Sequence, residues 1–526
     1  MKAAYKKRLA ALCIAALTIT GTACGEASNN KANNEAAPAA NASNAAANKG
    51  EAAAEPASIS LFVSNNAEQI PPGKSMDLAT VKYLAGKTNT NLDITFLPHE
   101  NYMEQLRLKF AGGDIPDVHM VWGIENSELV TNDLALDLKP YLEKYGPNLL
   151  KEIPQSAWDA VTLDGKILAI PQVAQGNAPA ERVLYVRKDW MDKLGLAVPK
   201  TSDEFLNMLR AFRDKDPNGN GKKDEIPFAS REKFEWMDNV LGMYGVNLDS
   251  NTVSDGKVMP GFVTPNMKQA LGLLRTMYEE KLIDPEFLTN SRAVWDQKIK
   301  SDLVGSWNHV VLGVWDSWQK EMSTLLADKK PNVVAIPTPK GIGYEGDVGR
   351  VEKSVLKTFV VKKDAANPEA IVRMFDWLAT EEGQLFADLG IEGETFTKAG
   401  DQLTYNAEAD KDLKWRQAVF TLHGFNEAAQ KVKINNEEAF NKLMATIETS
   451  RSEGIENPTA GMAPSPAMTQ NAELSFKGSL FQEAAAKIVL GEKPLDYFDE
   501  FVASWKKQGG EQAIEEMTAW YNENRK

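Results

Sequence analysis

Cysteine is almost missing from this chain. Only Cys13 and Cys24 occur among 526 residues, both ahead of the globular part, so no disulfide or thiolate metal site is expected in the folded domain. Histidine is nearly as scarce. His99, His119, His309 and His423 are scattered, and His99-Glu100 lacks the second histidine that a zinc-protease helix places one turn on. Excess positive charge is lacking too: a formal net charge of -14 leaves no basic surface to neutralise phosphates, which argues against nucleic-acid binding. Past the N-terminus no apolar run is long enough to span a bilayer. Gly73-Lys-Ser75 is not a phosphate-binding loop, because Glu68 stands where the upstream glycine is needed. The Gly341–Gly346 stretch does carry glycines in the dinucleotide pattern, yet Asp347-Val-Gly-Arg350 does not continue it as an apolar helix, so it reads as a hinge-type loop. Carboxylates are too abundant for spacing to single out a glycosidase pair.

What is present begins with an export signal. Lys2, Lys6, Lys7 and Arg8 precede an apolar stretch from Leu9 to Ile19 that is too short for a membrane anchor. Gly21-Thr22-Ala23-Cys24 resembles a bacterial lipobox, in which the cysteine is lipidated and becomes the mature N-terminus. Residues 1–23 are then the signal peptide, and losing its four cations takes the net charge from -14 to -18. Residues 24–57 form an Ala/Asn/Glu tether with no Val, Leu, Ile or aromatic residue after the cysteine. Such a segment cannot bury enough apolar surface to offset its ordering entropy, and as a flexible chain it reaches roughly 30 Å. The expected location is the extracellular face of the cell membrane, with Cys24 carrying the lipid (palmitate).

From Ser58 the composition turns globular, at 43% hydrophobic and 25% charged overall, and the length implies more than one domain. Ile59–Val63 reads as a strand, Tyr102–Phe110 as a helix with Met103, Leu106 and Phe110 on one face, and Pro116–Trp122 as a strand. This alternation indicates an α/β protein with mainly parallel sheets. Asp164-Gly165 marks a tight turn between short strands. Val183–Val186, Val333–Ile336 and Thr358–Val361 are further strands, Asn367-Pro368 opens a helix through Leu378, and the last hundred residues read as helical. Thr201-Ser-Asp-Glu204 fits a capping box, with Phe205, Met208, Leu209 and Phe212 as the buried face of the helix it opens.

That helix runs into residues 214–228, Asp-Lys-Asp-Pro-Asn-Gly-Asn-Gly-Lys-Lys-Asp-Glu-Ile-Pro-Phe. Oxygen-bearing side chains at alternate positions let a tight loop aim several ligands at one hard cation such as Ca2+. Two registers satisfy the pattern. One starts at Asp214 and ends at Glu225; the other starts at Asp216 and uses Asn218, Asn220, the Lys222 carbonyl, Asp224 and Glu225. Pro227 forbids the exit helix of a true EF-hand in either case. A single loop of this kind is expected to be structural.

The mature chain resembles the family 1 extracellular solute-binding lipoproteins of Gram-positive ABC importers, in particular the branch with oligosaccharide and alginate binders. The likeness rests on Asp164-Gly-Lys-Ile…Ala-Ile-Pro171, Val186-Arg-Lys-Asp-Trp-Met-Asp-Lys-Leu-Gly-Leu196, the 216–227 loop, Gly390-Ile-Glu-Gly393, Ile488-Val-Leu-Gly491, Phe498-Asp-Glu-Phe-Val502 and Trp505-Lys-Lys-Gln-Gly-Gly510…Trp520-Tyr521. It implies a two-lobed periplasmic-binding-protein-like fold of type II, each lobe a mainly parallel sheet flanked by helices, with a helical C-terminus. Lobe 1 is expected from 58–172 plus 350–400 and lobe 2 from 177–345 plus 405–526. Chain crossings are expected near 171–177, 341–350 and 398–404. The resemblance also selects the second loop register, so Asp216, Asn218, Asn220, Lys222, Asp224 and Glu225 become the structural calcium ligands and Asp214 an outlier.

Its implied function is a monomeric, non-catalytic binding protein that takes up a solute, an oligosaccharide, between the lobes and passes it to an ABC permease. The alternative is a secreted carbohydrate-active enzyme or adhesin on the same anchor. Sugar clefts use flat aromatic faces and a few polar groups. Trp307, polar on both sides in sequence, is the first choice, followed by Trp122, Trp236 and Trp415; Asn65, Asn177 and Glu392 are candidate polar contacts. Trp505 and Trp520 read as core. Chelation by EDTA should lower the thermal stability and leave the ligand affinity of the folded protein nearly unchanged. In calcium titrations Asp224→Ala should weaken the metal far more than Asp214→Ala; the reverse order would restore the register that starts at Asp214.

Overall fold

The computed structural model describes residues 55–526, apart from 67, 175–181, 314–317, 351–353, 460–461, 463–464 and 525–526. The expectations for residues 1–54, including Cys24, therefore lie outside the described residues. Strands β1 (Ala57–Ser64), β2 (Thr90–Leu97), β3 (Val118–Val121), β4 (Ala169–Val173), β5 (Arg182–Arg187), β6 (Ser306–Val310), β7 (Val333–Ile336) and β8 (Val355–Val361) build two sheets.

The first sheet has the order β2-β1-β3-β8-β4. Strand β1 runs parallel to β2, pairing Ala57 with Thr90 through Ser64 with Leu97, and parallel to β3. Strand β8 is antiparallel to both β3 and β4. Four strands thus share one direction. Every residue of β3 and β4 is buried, as expected for strands covered by helices on both faces. The core here joins Ile59, Leu61, Val118, Met120, Ile170 and Phe359 to the helix Pro368–Ala379.

The second sheet departs from the expectation of parallel strands. Its order is β6-β5-β7, and β5 is antiparallel to both neighbours. Parallel pairing enters only at its edge, where Ile226 bridges Val304 and Ala229 bridges Trp307. The chain between β5 and β6 includes long helices, such as Ser202–Asp214 and Pro265–Glu279. They pack beside the sheet without being simple crossovers. The C-terminal helices Ser479–Val489 and Tyr497–Trp505 complete this core through Phe481, Ile488, Phe501 and Trp505. Trp505 is fully buried and donates its indole N–H to the Leu474 carbonyl at 2.9 Å, whereas Trp520 is only half-buried.

Chain continuity shows where one sheet gives way to the other. Strand β4 ends at Val173 and β5 begins at Arg182; β7 ends at Ile336 and β8 begins at Val355. Trp415, Val419, Phe420 and Leu422 pack in the first core, while Ile434, Phe440, Leu443 and Ile447 pack against the second sheet. Packing therefore keeps residues up to 422 with the first sheet, beyond the expected limit of 400.

The Ser202–Asp214 helix follows its sequence signals closely. Thr201 Oγ1 accepts from the Glu204 N–H at 3.2 Å, and Glu204 Oε2 accepts from the Lys200 N–H at 2.7 Å, one residue before the partner of an ideal capping box. Phe205, Met208, Leu209 and Phe212 are buried.

In the first lobe, fully buried Arg416 pairs with Asp410 and donates to the Phe386 carbonyl at 2.8 Å and the Asp388 carbonyl at 3.1 Å. Arg416→Ala strands the Asp410 carboxylate in the interior, which should cost about 3–5 kcal/mol. Urea unfolding measures this, and an unchanged midpoint would contradict it.

Candidate ligand cleft and cation loop

Ligands of open α/β sheets bind beyond the carboxyl ends of the parallel strands, where the loops leave an unfilled edge. In the first sheet those ends carry Ser64 to Asn66 after β1, His99 after β2 and Trp122 after β3. Asn65 Oδ1 accepts from the His99 N–H at 2.9 Å, and Ser64 Oγ lies 3.1 Å from His99 Nδ1. Asn66 Nδ2 and Lys357 Nζ both donate to the Ala418 carbonyl at 2.9 Å. Trp122 is half-buried and stands edge-on to His99 at 5.5 Å and to Tyr102 at 5.4 Å.

The second lobe answers with the start of β5 and the end of β6, which lie side by side because Val310 pairs with Arg182. Half-buried Trp236 stacks on Trp295 at 6.0 Å with 7° between the ring planes, and on His309 at 4.2 Å. The Arg182 guanidinium lies 4.4 Å from the Trp236 ring centre, a cation–π contact, and it grips Asp238 through two bonds of 2.9 and 2.8 Å. Arg350 also pairs with Asp238 and reaches Asp249 at 2.9 Å. Arg182, Trp236, Asp238, Asp249, Arg350 and Phe476 line a cavity of about 180 Å3.

Backbone geometry marks the same place. Lys233, Phe234 and Trp236 have φ of 58°, 59° and 62°. Left-handed backbone at bulky residues costs on the order of 1–3 kcal/mol each and collects at ligand clamps. The two lobes also share an electrostatic field. Burial, followed by the positive charges of Arg292, Lys357 and Arg231, holds His99 below the usual histidine range. Burial, with Arg182, Arg292 and Arg231, holds His309 well below it. The positive charges of Arg231 and Arg292 bear on an imidazole from each lobe.

The sequence candidates are only partly gathered there. Trp122 and Trp236 lie at the facing edges, and Asn65 shapes the turn that holds His99. Trp307, the first choice, is instead fully buried among Tyr185 and Trp318. Trp415 is buried in the first core, edge-on to Phe96. Both were misjudged because polar neighbours in sequence do not put a strand or helix residue at the surface. Glu392 is exposed, bridging Phe396 at the base of a small hairpin, and Asn177 lies outside the described residues. Arg182, Arg231, Arg292, Trp295 and His309 were missed. One signal was available: on β6, His309 lies two residues after Trp307 and so on the same face, but nearer the strand end. The Gly341–Gly346 loop packs on Tyr244, where a Cβ at Gly341 would come within 2.4 Å of the ring, and leads into no helix.

In the 214–228 loop, Gly219 and Gly221 take φ of 68° and 76°. Asp216 accepts from the Asn220 N–H at 3.1 Å and the Gly221 N–H at 3.0 Å, and Asn220 Oδ1 accepts from the Lys222 N–H at 2.7 Å. Desolvation is the largest single influence and works against the Asp216 carboxylate, but the N–H groups of Gly221, Asn220 and Gly219 together outweigh it and hold the pKa below the usual range. Both Glu225 oxygens are buried without a hydrogen-bond donor. Burial pushes the Glu225 pKa up, and the negative charges of Asp216 and Asp224 add to the rise. Asp214 points elsewhere, onto Arg213 at 2.7 Å. Among the described residues no group of three or more His, Cys, Asp or Glu side chains converges as a metal site.

Two α/β lobes joined by repeated crossings, with aromatic and polar groups at their facing edges, define a solute-binding protein. Residues 66–385 match the bacterial extracellular solute-binding proteins, and the chain belongs to that family. It is 22% identical to the lipoprotein LipO of Bacillus subtilis, covering 100% of both chains. To the polygalacturonan/rhamnogalacturonan-binding protein YtcQ of the same organism it is 25% identical, over 83% of this chain and 86% of that one. The structure of an EF-hand mutant of the Streptococcus pneumoniae ABC-transporter substrate-binding protein FusA, in complex with fructo-nystose, superposes with a TM-score of 0.68 at 17% identity, covering 89% and 99% of the two chains.

The two tryptophans separate experimentally. Trp307→Ala empties a core site and should lower stability by about 3–5 kcal/mol, whereas Trp122→Ala at the rim should cost clearly less. Chemical denaturation of both variants measures the difference, and equal losses would place Trp122 in the core as well.

Proposed function

We propose that this protein is a cell-surface receptor, anchored through Cys24, that captures an oligosaccharide between its lobes and delivers it to an ABC permease. The observation that carries this reading is the half-buried Trp236, stacked on Trp295 and His309 at the edge of one lobe, with Trp122 at the facing edge of the other. Flat aromatic faces take the apolar side of a sugar ring, and the polar groups around them bind hydroxyls. The ligands in the names of two relatives, polygalacturonan/rhamnogalacturonan and fructo-nystose, are saccharides. Among the described residues no helix is long and apolar enough to cross a membrane.

The 214–228 loop is proposed to hold a structural Ca2+ through Asp216, Asn218, Asn220, the Lys222 carbonyl, Asp224 and Glu225. The residues fit a hard cation: the donors are all oxygen, two of them amides, and the buried Glu225 carboxylate has no hydrogen-bond donor. A bound cation would supply the missing counter-charge. The exit strand then ties the site to the sheet, with the Ile226 N–H donating to the Leu303 carbonyl at 2.7 Å and the Gly305 N–H to the Ile226 carbonyl at 3.0 Å.

A thermal-shift screen against neutral and acidic oligosaccharides tests the reading. A ligand at about one hundred times its Kd stabilises the native state by about 2.7 kcal/mol. At least one oligosaccharide should raise the melting temperature, Trp236→Ala should remove the shift, and chromatography should show the sugar unchanged. Turnover of the sugar would favour the enzyme reading, and a panel without any shift would remove the oligosaccharide.

A further inference from the structure

We propose that Lys193 and Lys329 are positioning residues of the 214–228 loop, which pin its entry half and thereby make the loop select Ca2+ over Mg2+. This rests on the structural Ca2+ reading above and goes beyond it to the residues that set the size of the site.

The two lysines lie on separate elements beside the loop. Lys193 is in the last turn of the helix Lys188–Leu194, and Lys329 ends the single helical turn Ala327–Lys329. Lys193 Nζ donates to the Pro217 carbonyl at 2.9 Å and to the Asp216 carbonyl at 3.4 Å. Lys329 Nζ donates to the Asn218 carbonyl at 2.7 Å. Three successive carbonyls of the loop are therefore taken by two ammonium groups. The fit is close: a Cβ at Gly219 would come within 3.1 Å of Lys193 Nζ. A third tie holds Asn218, whose Nδ2 donates to the Asp302 carbonyl at 3.2 Å. Asp302 is itself fixed, since fully buried Arg187 reaches its carboxylate at 2.6 Å and grips Asp189 at 2.9 and 2.7 Å.

At the exit, the Ile226 backbone is paired with Leu303 and Gly305. Residues 219–224 between these fixed ends are all exposed. Their bonds stay within the loop, as where Asn220 Nδ2 donates to Asp224 Oδ1 at 2.9 Å. An ion can draw in this tip far more easily than the entry half.

That difference bears on which ion fits. Mg2+ needs oxygens at about 2.0–2.1 Å in near-ideal octahedral order, whereas Ca2+ accepts about 2.3–2.6 Å in looser geometry. A loop pinned at 216–218 resists the contraction that Mg2+ requires. Two opposing effects then set the affinity. The ammonium groups repel a cation, but both lysines are exposed, so water and salt screen them. Once released, the pinned residues have to be ordered again each time an ion binds. Ordering is the larger effect, so losing a lysine weakens Ca2+ binding even though it removes a positive charge.

Calorimetric titration of the metal-free mature protein with CaCl2 and with MgCl2 provides the test. The variants are Lys193→Met, Lys329→Met and Lys329→Arg, the last keeping a donor for which the adjoining cavity of about 350 Å3 has room. Each methionine variant should bind Ca2+ about tenfold more weakly than the parent, with a smaller preference over Mg2+. Lys329→Arg should retain both the affinity and the preference. Tighter Ca2+ binding in the methionine variants would show repulsion to be the stronger effect and overturn the inference, as would an unaltered preference for Ca2+. Melting temperatures in EDTA identify a merely structural role. They should stay close to the parent's, because both side chains are exposed; a large drop with unchanged metal preference would overturn the positioning role. If the parent binds no Ca2+, the calcium reading falls and the inference with it, whereas the oligosaccharide reading stands.

Discussion

The carboxylate of Asp238 is the point at which two passages of the chain between the lobes are held together. Arg182 is the first residue of β5 after one passage, and Arg350 precedes β8 at the next. Both guanidiniums close on Asp238. Burial alone would raise its pKa, but the charges of Arg182 and Arg350 outweigh burial and keep it below the usual range. A buried carboxylate with two arginines is a stiff arrangement, since removing either partner leaves charge uncompensated in a poor solvent for it. The aromatic platform is built on this clamp: Arg182 reaches Asp238 and at the same time covers Trp236.

The oxygen-rich 214–228 loop and the aromatic edge of the second lobe are joined by one continuous stretch, from Glu225 to Trp236. Between them the backbone is occupied at several points. Ile226 and Ala229 pair with the edge of β6, and the Asp284 N–H donates to the Phe228 carbonyl at 2.9 Å. These bonds fix the backbone between the loop and the turn at Arg231. The left-handed residues Lys233, Phe234 and Trp236 are held by the helix start at Asn290 and by stacking on Trp295. The loop anchors a sheet edge, and the sheet edge presents the turn.

Much of the fold was legible in local signals. The alternation of strand and helix around Ile59, Leu106 and Val118, the cap at Thr201 and the apolar face of Phe205, Met208, Leu209 and Phe212 all reappear in the structure. These depend on spacing within one element, and spacing is written in the sequence. Strand direction in the second sheet was not legible, because β5, β6 and β7 are brought together over long separations and hydrophobic runs do not encode polarity. Which aromatic side chains lie at the facing edges was half legible. Trp122 and Trp236 lie at strand ends or beside the loop, where local pattern points to exposure. Trp307 and Trp415 have polar neighbours in the chain, yet their depth is set by the aromatic groups that pack over them.

By itself the sequence determined the helices and strands and the oxygen-rich loop at 216–225, since each follows from periodicity, composition or ligand chemistry within a few residues, while the class of protein came through the likeness of whole motifs to a known family. Only the tertiary structure decided which aromatic faces are available and which charges meet. Arg182, Asp238 and Arg350 are far apart in the chain. Whether a charge is matched or left open to a ligand depends on distances of a few ångströms and on burial, and neither is carried by position along the chain.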